Sequence, residues 1–524
     1  MSFIPDGEWA LGSLQKLFKS GYYARTLWFT FWQAAVSTLL TLVLALPGAY
    51  VFARYRFPGK KLLQAFATVP FVLPTVVVAT SFQALLGPRG LINELLQAVF
   101  NLSEAPIQMN HSVLFVLLAH VFFNYTVILR MVGGFWARLD PSLTESARVL
   151  GASSVKVFFR VTLPLLKPAI LASSLLVFIF CFSSFGVILI LGGPRLATIE
   201  VEIYRQAVHL FNLPMAAALS LIQIVFILLM MWVYTTLQRK QVVTLQPVSG
   251  AHSQVPIRTA KDRSWVGGNV CLILLLVGTP LAALILRSFL TDTGLSLVYY
   301  RALFVNPVQS IFYVPPLEAV FYSCGFALVT LVFSVVIGIL AAQFLSVSEG
   351  RISALFDPIF MLPLSTSAVT LGFGFIIALD RPPLNLRTSL LLVPLAHTLV
   401  AFPFVVRSVL PALRSIPQSL KESAALLGAS PFRVWRSVEL PIIGRSLIVG
   451  AVFAFTISLG EFGATVFVAR PQTPTMPLAI YRFLGQPGAL NYGQAMAMSS
   501  LLMLVTAVGF LMLEKLRIEG QGEF

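Results

Sequence analysis

One stretch of this chain occurs twice. The first copy covers residues 145–164 (ESARVLGASSVKVFFRVTLP) and the second covers residues 422–441 (ESAALLGASPFRVWRSVELP). Glu-Ser-Ala, Leu-Gly-Ala-Ser and Leu-Pro recur in both copies at a constant offset of 277 residues. Two copies in one register indicate a duplication, so the fold of this chain has to contain two equivalent halves.

The register of the duplication extends beyond this stretch. The same offset places His120 on His397 and Arg130 on Arg407. Further matched pairs are Phe185-Gly186 with Phe462-Gly463 and Ile203-Tyr204-Arg205 with Ile480-Tyr481-Arg482. The repeated unit is therefore a half-chain rather than a single loop.

Each copy has the composition of a short surface helix followed by a turn. Glu, then small Ser and Ala, then Gly leave one face of such a helix without bulk, and that face can enter a groove on another protein. Leu-Pro is expected to begin the next membrane helix, with proline in its first turn. For one copy alone, Gly and Pro that merely punctuate a loop would be the better interpretation. The second copy in register favours the shared function.

Composition places both copies between membrane spans. Of the 524 residues, 57% are hydrophobic and 11% are charged, and the mean hydropathy is +0.88, which is typical of a multispanning membrane protein. The net charge of +16 comes from Lys and Arg scattered over short loops, so it does not indicate a nucleic-acid partner. Cys181, Cys271 and Cys324 lie in apolar runs without metal-ligand spacing, so neither a disulfide framework nor a metal site is expected.

Eleven apolar runs have the length, about 20 residues, that crosses a bilayer. Five runs precede a polar segment, one follows it, and the last five correspond to the first five, so the two repeats cross the membrane in the same direction. The sequence therefore predicts an all-α membrane protein with about 11 transmembrane helices in two parallel pseudo-repeats. The runs occupy residues 26–53, 62–87, 112–136, 168–191, 213–237, 266–290, 318–345, 354–379, 388–412, 446–468 and 491–513.

These runs also predict the division of the chain. The run at 266–290 has no counterpart in the first half, so it is either an addition or the equivalent of an N-terminal span that the first half lacks. The expected parts are an N-terminal interfacial segment (1–25), a first repeat (26–237), a cytoplasmic linker (238–265), an extra transmembrane helix (266–290), a second repeat (291–513) and a cytoplasmic tail (514–524).

The distribution of positive charge predicts the orientation. With both copies of the repeated stretch on one side, the segments on that side hold 22 Lys and Arg and the opposite segments hold 11. Such an excess is typical of the cytoplasmic side. We therefore expect both copies to face the cytoplasm and the N-terminus to lie outside.

The spacing of the repeated stretch, E-S-A-x3-G-x9-V-x-L-P, resembles the EAA loop of ATP-binding-cassette (ABC) importer permeases of the binding-protein-dependent type, E-A-A-x3-G-x9-I-x-L-P. The departures, Ser for Ala and Val for Ile, change side-chain size or character little. The resemblance implies the type I ABC importer permease fold, in which the loop forms a coupling helix that docks on an ATPase subunit. By this resemblance ATPase coupling is assigned to Glu145, Ala147, Gly151, Pro164, Glu422, Ala424, Gly428 and Pro441.

The same resemblance implies the partners. The chain has no G-x-x-x-x-G-K-[ST] motif, since Gly59-Lys60 continues to Lys61, so ATP hydrolysis is expected on another chain. The expected partners are two copies of a nucleotide-binding ATPase subunit, which carries the ATP and Mg²⁺, and an extracellular or periplasmic solute-binding protein. This chain is expected to bind no cofactor or nucleic acid, to be no enzyme itself, and to lie in the bacterial inner membrane.

The expected cargo rests on shorter segments. Residues 26–40, 117–124 and 180–207 look like thiamine importer permeases, which have both halves fused in one polypeptide. Residues 457–469 (ISLGEFGATVFVA) are similar instead to molybdate and sulfate permeases, and fused ferric iron permeases share the architecture. Thiamine is the expected cargo, with ferric iron or an oxyanion as open alternatives.

Four polar residues within the spans are candidates for a translocation pathway or gate: Ser184, Glu461, His120 and His397. A carboxylate inside a membrane is costly unless it is paired or faces water, although a structural role for Glu461 is favoured over contact with cargo. The histidines could sense protons, but hydrogen bonding between helices is the better interpretation. An ion-coupled secondary transporter would predict duplicated acidic sites, whereas Glu461 corresponds to Ser184, and that class leaves the twin motif unexplained.

Overall fold

The structure is a computed structural model that describes residues 12–241, 254–305, 314–347, 351–379 and 385–518. These ranges contain ten helices that are long and apolar enough to cross a membrane, or 11 if Phe356–Pro363 and Ala368–Leu379, bent by 96°, form one broken span. The predicted all-α fold with about 11 spans is therefore confirmed.

The first half consists of helices joined by short connections. Wide π-helical turns occur at Phe158–Thr162, Ile188–Gly192 and Arg205–His209. The elements are α1 (Gly12–Lys19), α2 (Gly21–Arg54), β1 (Tyr55–Arg56), α3 (Lys60–Val72), α4 (Thr75–Leu86), α5 (Leu91–Phe100), α6 (Val113–Ala137), α7 (Pro141–Val149), α8 (Ser154–Val157), α9 (Leu163–Phe182), α10 (Ile199–Tyr204) and α11 (Leu213–Gln241).

The second half repeats this order after one additional span. That span, α12 with α13, contains a π-helical turn at Leu274–Gly278, and another such turn lies at Trp435–Glu439. The elements are β2 (Val255–Pro256), α12 (Ala260–Ile273), α13 (Thr279–Phe289), β3 (Leu290–Thr291), β4 (Gly294–Leu295), α14 (Val298–Arg301), a 3-10 turn (Ala302–Phe304), α15 (Glu318–Val347), α16 (Arg351–Ser365), α17 (Ala368–Leu379), α18 (Leu392–Arg414), α19 (Gln418–Leu426), α20 (Pro431–Val434), α21 (Leu440–Gly460), α22 (Thr465–Val468), α23 (Met476–Leu484) and α24 (Ala489–Ile518).

The two halves repeat each other in their contacts as well as in their sequence. In the first half α2, α6 and α9 pack together, and in the second half α15, α18 and α21 do. The hydroxyl of Thr30 on α2 accepts a hydrogen bond from the first backbone N–H of α10, that of Ile199 (3.0 Å). The hydroxyl of Ser323 on α15 does the same for Met476 of α23 (2.7 Å). In each case a membrane helix satisfies a donor that a helix start leaves open.

Contacts at the two ends of the bundle show that the repeats run parallel. At the end of α2, Tyr55 pairs with Val255 in the parallel β1–β2 ladder and donates to Asp262 (2.8 Å), near the start of α12. The span formed by α12 and α13 then returns to the far end, where Arg287 donates to the carbonyl of Arg89 (2.9 Å). Because α15 starts at this far end, α2 and α15 cross in the same direction.

Some helix bounds differ from the predicted ones. The first span begins at Gly21 instead of residue 26, and the extra span is Ala260–Phe289 instead of 266–290. In the predicted linker, α11 continues to Gln241 and residues 242–253 lie outside the described residues. Residues 1–11 of the predicted interfacial segment and residues 519–524 of the predicted tail also lie outside them, while α24 reaches Ile518.

Leu-Pro begins the α-helical part of the next span in both halves, as predicted: α9 starts at Leu163 and α21 at Leu440, each with proline in its first turn. What differs is the bound of the fourth span, which was predicted from residue 168 and starts at Ser154, because the π-helical turn Phe158–Thr162 joins α8 to α9 just before Pro164. Pro441 follows the turn Trp435–Glu439 in the same way. Proline has no N–H to donate and its ring crowds the preceding turn of an α-helix. A wider turn before it relieves that crowding.

Candidate functional site

The first copy of the repeated stretch forms a short helix that is closed at both ends. Asp140 caps the start of α7, where its carboxylate accepts a hydrogen bond from the backbone N–H of Ser142 (2.9 Å), and Pro141 occupies the first turn. Hydrogen bonds from Ser142 lower the pKa of the Asp140 carboxyl.

Glycine ends both helices for the same conformational reason. Gly151 and Gly428 have φ angles of +82° and +81°, in the left-handed region that favours glycine. After α7, the N–H of Gly151 bonds to the carbonyl of Arg148 (2.9 Å), and the N–H of Ala152 bonds to that of Ala147 (3.1 Å). The second copy repeats both bonds, so the motif glycines terminate the helices in Schellman turns.

Large apolar side chains at the ends of both helices are almost fully exposed. Val149 and Leu150 are 87% and 86% exposed, and their equivalents Leu426 and Leu427 are both 89% exposed. Two further exposed apolar pairs are related by the same offset: Leu143 with Leu420 and Val155 with Phe432. We call these eight residues the apolar coupling surface. Large apolar side chains in matched, exposed clusters indicate a protein interface.

Sequence reasoning missed the apolar coupling surface. It assigned docking to the motif residues, of which the structure places Glu145 and Glu422 on the exposed face of the helices and leaves Ala147 and Ala424 partly buried. Pro164 and Pro441 are exposed on the helices that follow. The available signal was a pair of apolar residues directly before the motif glycine, at the same place in both halves.

Both helices protrude at the same end of the bundle. A cavity of about 640 Å³ lies beside α7 and is lined by Arg148 together with Tyr55 and Asp262, which mark the α2 end. In the second half Lys421 of α19 pairs with Glu439 (2.7 Å), which accepts a hydrogen bond from Gln343 near the end of α15 (2.9 Å). Since α2 and α15 run in the same direction, these contacts place α7 and α19 on one side.

The predicted pathway residues form two equivalent clusters, one in each half. His120 lies between the hydroxyls of Ser37 and Ser184, at 2.9 Å from each. His397 lies between the hydroxyls of Ser458 and Thr465, at 2.8 Å from each. All these contacts join helices within one half, an arrangement that supports hydrogen bonding between helices.

Glu461 sits where α21 ends, directly before a short loop. Its carboxylate accepts hydrogen bonds from the backbone N–H groups of Ala464 and Thr465 (both 2.9 Å) and from the Thr465 hydroxyl (2.7 Å). His397 lies 3.5 Å away. A buried carboxylate satisfied in this way holds the start of α22, so the geometry favours a structural role for Glu461.

The next residues along the chain bring the two halves together. Phe185 and Phe462, equivalent by the offset of 277 residues, stack with ring centroids 5.6 Å apart. Equivalent residues that touch each other lie on the pseudo-twofold axis. We call this boundary between the halves the seam; its contacts include Phe185–Phe462, Tyr204–Phe467 (5.7 Å) and Glu200–Ser367 (2.6 Å).

Close packing at the seam explains the glycine after each of these phenylalanines. A Cβ on Gly186 would lie 2.4 Å from the Thr75 hydroxyl, and one on Gly463 would lie 3.1 Å from Ala368. Thr75 and Ala368 are the first residues of α4 and α17. Matching glycines therefore let matching helices approach the axis.

The described residues contain no group of three or more His, Cys, Asp or Glu side chains that could hold a metal ion. Two buried carboxylates among them pair with basic side chains: Glu202 with Arg205 (3.0 Å) and Glu439 with Lys421 (2.7 Å). The seam and the apolar coupling surface are the features that remain for transport and for partner binding.

Comparisons with known proteins agree with this architecture. The chain is 26% identical over 528 residues to the thiamine transport system permease protein ThiP of Escherichia coli, with 98% of this chain and 91% of that protein covered. It is 26% identical over 468 residues to the protein of the same name from Brucella abortus, with 88% and 83% covered. A probable ABC transporter permease of Sinorhizobium fredii is 25% identical over 481 residues, with 89% and 83% covered.

The family model of the inner membrane component of binding-protein-dependent transport systems matches the chain in two segments, residues 29–243 and 334–516. These segments together make up well over half of the chain and fall on the two structural repeats. The chain therefore belongs to this family, as an ABC importer permease with both halves fused in one polypeptide that crosses the bacterial inner membrane many times.

Proposed function

We propose that this chain forms both transmembrane halves of an ATP-driven thiamine importer. Two copies of a separate nucleotide-binding subunit bind α7 and α19 at the cytoplasmic end, and a solute-binding protein delivers the cargo to the other end. The observation that carries this proposal is the apolar coupling surface, which repeats the same exposed side chains in both halves at one end of the bundle.

Matched surfaces suit two identical partners. Val149 with Leu150, and Leu426 with Leu427, would each be buried in a groove of one ATPase subunit, and each fully buried side chain contributes about 1.5–3 kcal/mol. The Schellman turns at Gly151 and Gly428 hold these side chains at the tips of the helices. Movement of the ATPase subunits is thereby transmitted to the membrane helices that follow.

The transport cycle is alternating access. ATP closes the nucleotide-binding dimer, which draws α7 and α19 together and opens the seam toward the outer end, and hydrolysis reverses the movement. The ATPase can drive this change only if it binds one arrangement of the halves more tightly than the other. ATP and Mg²⁺ belong to the ATPase subunits, and this chain binds no cofactor.

Thiamine as cargo is supported by the relatives. Proteins named as thiamine transport permeases align with up to 98% of this chain, at 26% identity. The buried carboxylate of Glu200, whose hydrogen-bond partners are neutral, also suits a positively charged cargo better than an oxyanion. Ferric iron and molybdate are the competing cargoes that an experiment has to separate.

The test is uptake by proteoliposomes that contain the permease, its ATPase and its solute-binding protein, with no ion gradient. We expect ATP to drive accumulation of labelled thiamine and neither ferric iron nor molybdate to accumulate. Uptake of iron or molybdate without uptake of thiamine would show that thiamine is not the cargo. Uptake that needs an ion gradient and no ATP would show that the protein is a secondary transporter instead of an ABC importer.

A further inference from the structure

Glu200 is a buried carboxylate whose partners are neutral. Its side chain is fully buried on α10, where it accepts hydrogen bonds from the amide of Gln223 and from the hydroxyl of Ser367 (2.6 Å). Among the ion pairs of the described ranges, none includes Glu200. An ionised group within a membrane protein is costly without a countercharge, and such groups mark functional positions.

The position of Glu200 on the seam makes its surroundings change when the halves separate. Glu200 and Gln223 belong to the first half, whereas Ser367 lies at the break between α16 and α17 in the second half. Thr370, on α17, approaches the amide oxygen of Gln223 (3.5 Å). Separation of the halves would remove the second-half hydroxyls and leave the carboxylate facing the gap.

Aromatic rings continue the same surface. Tyr204 lies one turn after Glu200 on α10, and Phe373 lies one turn after Thr370 on α17. Phe467 packs between them, with ring centroids 5.7 Å from Tyr204 and 6.5 Å from Phe373. Carboxylates and aromatic faces together are a favourable environment for an organic cation.

The charged site occurs in one half only. The offset of 277 residues places Pro477 opposite Glu200. The residue before α4 in the first half, Pro74, takes the place that Ser367 has before α17 in the second half. Pro74 packs closely against Gly460, since a Cβ added to that glycine would lie 2.9 Å from the proline ring. Of the two matched positions Glu200 and Pro477, only the one in the first half carries a carboxylate.

We propose that Glu200 recognises an organic cation on the translocation pathway, with Gln223, Tyr204 and Phe467 forming the rest of the site. This inference rests on the proposed function and assigns the residues that select its cargo. A single carboxylate among aromatic rings fits a large cation of low charge density, because a metal ion prefers several oxygen ligands. Thiamine carries such a charge in its thiazolium ring.

The first experiment compares Glu200→Gln with the wild type in the proteoliposome assay. Gln retains the size and can keep both contacts, because its oxygen accepts from Gln223 and its NH2 group can donate to the Ser367 hydroxyl, so a purely structural role would leave transport largely unchanged. We expect the KM for thiamine presented by its binding protein to rise, or uptake to fall, by about tenfold, as loss of one charge contact gives. Glu200→Asp should retain most of the uptake.

The matched control is Glu202→Gln, which removes a second buried carboxylate from the same short helix. Glu202 contacts Tyr22, Arg205 and Gln206 of the first half. We expect uptake by this variant to stay close to that of the wild type. Equal losses in both variants, or none in Glu200→Gln, would overturn the proposal.

A second experiment does not depend on the identity of the cargo. Ser367→Cys, in a chain whose three native cysteines are replaced, is labelled with trimethylammonium and with sulfonate methanethiosulfonate reagents while the ATPase is held with ATP. We expect the cationic reagent to react faster, and Glu200→Gln to reduce this preference by about tenfold. An unchanged ratio, or no labelling in any state, would overturn the proposal. A changed ratio together with no thiamine uptake by the wild type would reject thiamine and leave the organic cation site standing.

Discussion

The helices α7 and α19 present the same surface but rest on different supports. Both α7 and α19 expose an apolar pair directly before a left-handed glycine. Beneath them the chain differs: α7 is capped by Asp140 and borders the cavity of about 640 Å³. At the corresponding cap of α19 stands Pro417, whose side chain has no hydrogen-bonding atom.

The support of α19 comes from its side. Lys421 pairs with the buried Glu439, and the corresponding residues in the first half, Thr144 and Thr162, cannot carry charge. Divergence has therefore changed how each helix is held while its outward face has stayed the same. This pattern is expected if two identical ATPase subunits meet the two halves.

The largest effect should come from the outward face itself. Replacing Val149 and Leu150 by Glu, or Leu426 and Leu427 by Glu, puts charge where a groove has to bury apolar area. Each pair is worth at least about 3 kcal/mol, so we expect ATPase binding to weaken about 100-fold or more. Co-purification and titration of the ATPase against the reconstituted permease measure this effect.

Because α7 and α19 expose equivalent apolar pairs, we expect the two double variants to lose ATPase affinity to a similar extent. The control for insertion and folding is Gly325→Ala, which changes an exposed position on α15 outside the apolar coupling surface. We expect this variant to bind the ATPase normally. A strong loss in one half with little in the other would contradict two equivalent docking sites.

The next effect should come from the glycines that end the helices. Gly151→Val or Gly428→Val forces a β-branched residue into the left-handed region, at a cost of about 1–2 kcal/mol or more. The turn then opens and the apolar pair loses its position. We expect ATP-driven uptake to fall about tenfold in either variant, measured beside the amount of permease in the membrane.

The sequence was sufficient for the spans and for the duplication, because both depend on composition along the chain. It could not locate the seam, since the stacking of Phe185 on Phe462 and the contact of Glu200 with Ser367 join residues from different halves. The motif also drew attention to small residues, while the exposed surface consists of the apolar residues beside them.

Local chemistry explains why the fourth span starts before its predicted bound at residue 168. Residues 154–163 include Lys156 and Arg160, so a hydropathy window excludes them from the membrane span. In the structure they are already helical, because a helix that leaves the bilayer can continue with charged residues in water. The wide turn before Pro164 is a response to the missing N–H of proline that an ordinary helical pattern does not include.

A smaller and one-sided effect should follow from the ion pair beneath α19. Lys421→Met leaves the carboxylate of Glu439 with Gln343 as its remaining described partner and costs about 1 kcal/mol, since Lys421 is partly exposed. We expect ATP-driven uptake to fall a few-fold. Thr144→Met at the matching position of the first half is the control and should change uptake less. Equal losses of uptake in the two variants would show that the ion pair does not hold α19 differently from α7.

The smallest effect should come from the cap of α7. Asp140→Ala removes the acceptor for the N–H of Ser142, whereas Pro417→Ala removes no acceptor from α19. The hydrogen bonds of the Asp140 carboxylate lower its pKa in the folded protein. The carboxylate therefore stabilises α7 fully at a pH above the usual carboxyl range, and this stabilisation is lost as the pH falls through the lowered pKa. We expect a slight loss of uptake for Asp140→Ala at neutral pH and no loss for Pro417→Ala. The rate of proteolysis at the start of α7, compared at pH 7 in both variants, measures how far this helix end unfolds. Equal protection in the two variants would show that α7 is held by the residues around the cavity and not by its cap.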